Sequence, residues 1–178
     1  MKFYAGIGSR SLPDKAVVQL MAISAWLASA GWGLRTGGAS GADYAFWKAS
    51  AEAGGHGELH LPWLRFNQHL TVISARRSSW KRRIFHDNRH LAISAEYHPR
   101  WSGLSQGVRR LMGRNASIIL GSNPDDKSGW SKMVVCYTRD GQASGGTGHG
   151  IRIAQGFGIP VFNIGRPNVL AHLKNRMR

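Results

Sequence analysis

The chain has 178 residues, 42% of them hydrophobic, with seven Trp and six Phe, which excludes a disordered chain and points to one folded domain with a proper core. Its single cysteine, Cys136, sits in an apolar run without a partner, so disulfides are excluded and a reducing compartment suits it. A formal charge of +15 points to polyanionic partners, nucleic acid first and phosphorylated small molecules second.

In chain order, residues 3–7 read as a buried strand that ends in the turn Gly8-Ser9-Arg10. Pro13 and Asp14 open a helix whose Val17, Leu20, Met21, Ile23 and Leu27 recur at helical spacing, and Gly31 ends it. Residues 32–35 form a second strand, and the glycine-dense turn at 36–43 leads into a helix to about Ala53. Gly54-Gly55 breaks that helix before a third strand at 58–62. Strand, helix, strand, helix, strand at this spacing predicts right-handed βαβ units and a parallel sheet.

The middle of the chain differs. Residues 65–114 carry a net charge of +9, against +1 for 1–64 and +5 for 115–178. Residues 63–83 show little periodicity but many basic and aromatic side chains, and helices are predicted at about 85–95 and 104–120. A fourth strand at 133–138 leads into a second glycine-rich loop at 140–150, whose helix continues over 151–156. A fifth strand at 159–164 and a short basic helix from Asn168 complete the chain. The expected fold is α/β, a parallel sheet of about five strands with helices on both faces. One domain spans 1–178, with a basic, aromatic-rich insert at about 63–121. No signal h-region or long apolar span appears, so the expected setting is cytoplasmic, away from membranes.

In an open parallel sheet, ligands bind outside the carboxyl ends of the strands where strand order reverses. Three loops leave strands at that edge: Gly8-Ser9-Arg10, the turn Thr36-Gly37-Gly38-Ala39-Ser40-Gly41-Ala42-Asp43, and Ser144-Gly145-Gly146-Thr147-Gly148. Each combines glycine with a hydroxyl side chain, and the first adds an arginine. Backbone donors, a hydroxyl and a fork-shaped cation are what a nucleotide phosphate requires. Asp43, in the first turn of its helix, suits either a capping role or a ribose contact. The basic insert contributes Arg76, Arg77, Trp80, Lys81, Arg82, Arg83, Arg109 and Arg110 as nucleic-acid-binding candidates. Trp63, Phe66, Trp80 and Trp101 stand among these cations, where bases stack in a cationic groove or rings fill a core. His86 and His90 have zinc-compatible i, i+4 spacing, but no third ligand is evident and arginines flank them, so no metal is expected.

The segments Tyr4-Ala5-Gly6-Ile7-Gly8-Ser9-Arg10, Gly37-Gly38-Ala39-Ser40-Gly41-Ala42-Asp43 and Gly145-Gly146-Thr147-Gly148, followed by Gly158-Ile159-Pro160-Val161-Phe162-Asn163, resemble the SMF/DprA–LOG (SLOG) superfamily of Rossmann-like nucleotide-binding proteins. The resemblance is greatest to phage-encoded DprA-like proteins, which would place the chain in a host cytoplasm. It covers most of the chain, including His98-Pro99-Arg100-Trp101 and Arg114-Asn115 in the insert. DprA-type members share the turn at 37–43 and bind single-stranded DNA through a basic surface.

LOG-type phosphoribohydrolases cleave nucleotide N-glycosidic bonds with Pro-Gly-Gly-x-Gly-Thr-x-x-Glu. Laid on residues 144–152 the glycines match, but Arg152 stands where the catalytic Glu belongs. An arginine cannot stabilise an oxocarbenium-like transition state as a carboxylate does, and Arg152 could instead face a phosphate. Asp43, Asp140 and His149 are the candidates for a substituted catalytic group. Three readings follow: binding of single-stranded nucleic acid through the loops and insert, capture of a nucleotide or ADP-ribose-like messenger, and nucleotide N-glycosidase activity with a substituted acid. No cofactor is required, the site leaves room for a bound nucleotide, and the superfamily's habit allows a homodimer.

Overall fold

The computed structural model describes residues 1–67, 69, 79–85 and 87–177; the candidates Arg76, Arg77 and His86 lie outside them. The strands are β1 (Phe3–Gly8), β2 (Gly33–Thr36), β3 (Gly57–Leu61), β4 (Trp80–Ile84), β5 (Val134–Tyr137) and β6 (Val161–Asn163). The helices are α1 (Asp14–Ser29), α2 (Ala42–Glu52), α3 (Asn88–Glu96), α4 (Gln106–Leu120), α5 (Gly145–Gly156) and α6 (Val169–Met177).

All six strands pair in parallel, in the order β4-β3-β2-β1-β5-β6. The fold is thus a doubly wound α/β sheet, with six strands rather than the expected five. The additional one, β4, lies in the stretch whose sequence shows no period. Its Lys81, Arg82 and Arg83 are exposed, because β4 is an edge strand and charges there discourage pairing with another chain.

Alternate strand residues feed two cores, as the pleat requires. Tyr4 of β1 and Val135 of β5 join Leu20, Leu27, Phe46 and Trp47 under α1 and α2. Ala5, Ile7, Val134 and Cys136 join Ile118, Ile119, Ile151 and Ile153 under α4 and α5. Trp80 belongs to the first of these cores: it is 6% exposed, packs edge-on against Trp47, and occupies space that a Cβ on Gly57 would fill. It is therefore a core residue of β4 and not a stacking platform.

Between the sheet and α4 lies a buried polar network. Glu58 receives Arg35 Nε at 2.8 Å and Arg83 Nη2 at 2.9 Å, and His60 bridges Glu58 to Ser117 of α4. Burial works to raise the Glu58 carboxyl, but the His60 hydrogen bond and the guanidinium charge outweigh it and hold Glu58 below the usual carboxylate range. Arg83 is thereby committed to the fold. Among the described residues, no helix is long and apolar enough to cross a membrane.

Candidate functional site

Strand order reverses between β1 and β5, and the loops leaving those two strands part there, opening the crevice that doubly wound sheets use for ligands. A cavity of about 680 Å³ occupies it. Gly8, Ser9, Arg10 and Ser11 line it after β1, Ala39 and Asp43 after β2, and Thr138 and Arg139 after β5. Ser144, Gly145, Gly146 and Thr147 line it from the start of α5, and Val108, Leu111, Met112, Arg114 and Asn115 from α4. The three expected loops do converge on one space. Gly37, Gly38, Ser40, Gly41, Gly148 and Arg152 are not part of the lining.

Several of those glycines shape the cavity from behind. Gly41 has φ +78°, and a Cβ there would strike the Ser9 and Arg10 backbone, so it lets the first two loops touch. The contact is held by Ala42 N–H donating to Ser9 O at 3.0 Å. A Cβ on Gly37 would lie 1.2 Å from Arg114 Nη1 and 2.6 Å from Asp43 Oδ2. Gly37 therefore makes room for a buried ion pair: Arg114 and Asp43 are 6% and 5% exposed, with Nη1 3.3 Å from Oδ2. Burial raises the Asp43 carboxyl and lowers the Arg114 guanidinium, while each partner's charge opposes the shift of the other. Asp43 also accepts from Ala39 N–H at 3.2 Å, which ties the glycine turn to α2. Arg114 Nε has no partner among the described residues.

The third glycine run is not a loop. Gly145, Gly146, Thr147 and Gly148 form the first turn of α5. The first helical bond runs from Gly148 N–H to Ser144 O at 2.7 Å, so the three preceding N–H groups lack helical acceptors. Ser144 does not cap them: its hydroxyl donates to Asp140 Oδ1 at 3.1 Å, and the first turn holds no acidic residue. Those bare donors and the positive end of the α5 dipole border the cavity. Asn115 fixes the helix start to α4 by donating to Gly146 O at 3.2 Å. Arg10 and Arg139, both exposed, line the cavity without an ion pair among the described residues.

Other candidates lie elsewhere. Asp140 is an exposed loop residue that accepts from Gln142 N–H and Ser144 Oγ. His149 is fully buried; its Nε2–H donates to Ser94 O at 3.1 Å, and burial pushes its pKa down to about 4. Neutral at pH 7 and not part of the lining, it supplies no acid to the cavity. Arg152 donates to the carbonyls of Tyr97 and Ala143 at 2.9 and 3.0 Å, joining the end of α3 to the loop before α5 instead of facing a phosphate. His90 is buried between Asp87 and Gly121 O. Arg109 donates to Ser102 O and lies over the Trp101 ring; Arg110 is exposed on α4. Lys81 and Arg82 stand on β4, three strand spacings or roughly 14 Å from β1.

Arg114, Asn115, Ser11, Thr138 and Arg139 were not among the expected contacts. Arg139 had a readable signal, since it directly follows a strand at the ligand-binding edge. Arg114 had none in spacing, because its partner Asp43 is 71 residues away.

No protein-family model matches the chain, and no curated protein matches it. Two solved structures share its fold. DNA processing protein A from Helicobacter pylori, described for its single-stranded DNA binding mode, superposes with TM-score 0.56 at 16% identity over 91% of this chain and 64% of its own. DNA processing protein A (DprA) from Streptococcus pneumoniae superposes with TM-score 0.60 at 16% identity over 98% of this chain and 56% of its own. The fold is DprA-like. The chain spans less than two thirds of the length of either neighbour.

Two outcomes test this geometry. Gly37→Ala should displace Arg114 from Asp43 and cost about 2 kcal/mol or more in urea unfolding, whereas Gly103→Ala, with nothing near its Cβ, should be neutral. His149 is depressed in the fold relative to the unfolded 6.5, so the unfolded chain binds the extra proton. Stability should therefore fall as pH drops from about 6.5 to 4, and His149→Gln should remove a share of up to roughly 3 kcal/mol from that slope.

Proposed function

We propose that this protein binds single-stranded DNA, holding backbone phosphates in the crevice between β1 and β5. The observation that carries the reading is the convergence there of unspent donors: three first-turn N–H groups of α5 and the guanidiniums of Arg10 and Arg139. Among the described residues the lining holds three arginines against one carboxylate, Asp43, which Arg114 already engages. A phosphate satisfies such a set through charge-assisted hydrogen bonds. The Helicobacter pylori neighbour, known for binding single-stranded DNA, supports the reading through shared architecture. The charge of +15 supports a polyanion over a single small ligand, and exposed Lys81, Arg82 and Arg110 extend the positive field beyond the cavity.

A second reading, capture of a mononucleotide in the same crevice, is favoured by cavity size: about 680 Å³ falls within the range of small-molecule sites. Glycosidic cleavage has less behind it. Of its three candidate groups only Asp43 reaches the cavity, and it is bound to Arg114.

Fluorescence anisotropy with a labelled single strand across a salt series tests the proposal. Arg10→Glu and Arg139→Glu should each weaken binding about tenfold and flatten the salt slope by about one. Tight mononucleotide binding with no affinity for the strand would replace the first reading with the second. Unchanged affinity in both variants would remove the crevice from DNA binding altogether.

A further inference from the structure

A second cavity of about 500 Å³ opens between α3 and α4. Among the described residues its lining shares none with the first: α4 gives Val108, Leu111, Met112, Arg114 and Asn115 to one and Gln106, Arg109 and Arg110 to the other. Val108, Leu111, Met112 and Asn115 lie on the helix face opposite Gln106, Arg109 and Arg110, with Arg114 at the boundary, so α4 divides the two spaces. Its N-terminal turns therefore stand between a phosphate-ready crevice and a cavity of different character.

That character is apolar with a polar margin. Phe85, Leu91 and Ala95 provide apolar surface, and Trp101 carries the Arg109 guanidinium 5.6 Å above its ring. Arg109 Nε is buried without an acceptor among the described residues. Asn88 and Gln106 are the two amides of the lining, and each offers both a donor and an acceptor, the combination that a base edge presents. Among the described residues the lining has no carboxylate, and Arg110 adds a second cation. An apolar recess with an aromatic, a guanidinium plane and paired amides suits a nucleobase, which has two π faces and a hydrogen-bonding edge.

We infer that this second cavity is a nucleobase pocket. It seats an unstacked base from the same single strand whose phosphates lie against α5, the strand crossing α4 between them. This rests on the proposed DNA binding in the first crevice. A helix is about 10–12 Å across, a distance that a short run of single strand covers. The pocket adds affinity that depends on bases, whereas the crevice supplies affinity that depends on charge.

The test compares an ordinary single strand with an abasic strand of equal length, whose phosphates are intact. Wild type should favour the base-bearing strand by about tenfold. Ala95→Leu, which narrows the cavity, should abolish the preference and leave abasic binding unchanged. The Asn88→Ala/Gln106→Ala pair, at two exposed positions where folding is not at stake, should cut the preference several-fold. Equal binding of both strands by wild type overturns the pocket and leaves the crevice standing, as does a preference that survives in both variants. Binding of neither strand overturns the DNA reading itself and the pocket with it.

Discussion

The arrangement of the site depends on one buried ion pair. Arg114 reaches from α4 to Asp43 at the start of α2, through space that exists because residue 37 has no side chain. An unpaired charge at that depth would cost several kcal/mol, so each partner constrains the other. The pair holds α4, whose sequence lies in the basic insert, against the glycine turn of the sheet. Without it, α4 would lack its polar anchor beside the turn, and the wall formed by Val108, Leu111 and Met112 would have less to fix it.

The pair also sets the electrostatics of the crevice. Asp43, the one carboxylate among the described residues of the lining, is neutralised in place by Arg114, which leaves Arg10, Arg139 and the bare first turn of α5 as the field an incoming ligand meets. The hydroxyl best placed to cap α5, that of Ser144, turns instead to Asp140. A helix start left open beside unpaired arginines is costly in isolation and is offset when an anion arrives. Donors fixed in position before binding also lose little entropy on binding.

How much of this was readable depended on the range of the interactions. The loops at 8–10 and 36–43 were legible because strand ends and glycine turns are local, and in a parallel sheet every loop that leaves a strand's carboxyl end lies at the same edge. β4 was not, because an edge strand reading Trp-Lys-Arg-Arg-Ile has no apolar alternation to display. The run at 145–148 looked like a loop since glycine disfavours helices, yet packing against α4 carries it into α5. His149 and Arg152 were expected near the ligand from their place after those glycines. One instead fills a buried niche against Ser94 O, and the other spends its donors on two carbonyls. Arg114 stood out only through the resemblance of Arg114-Asn115, and its partner Asp43 was not legible until the fold brought the two together. Pairings across tens of residues leave no mark in spacing, and they decide which of many cations face the ligand.

The most direct measurement is an amide NMR titration of the ¹⁵N-labelled protein with a short single strand. The account predicts the largest shifts at Gly145, Gly146 and Thr147, with a second group at Ser9, Arg10 and Arg139. Bound strand with those amides unmoved, and shifts gathered instead on the exposed Val18 and Trp26 face of α1, would contradict it.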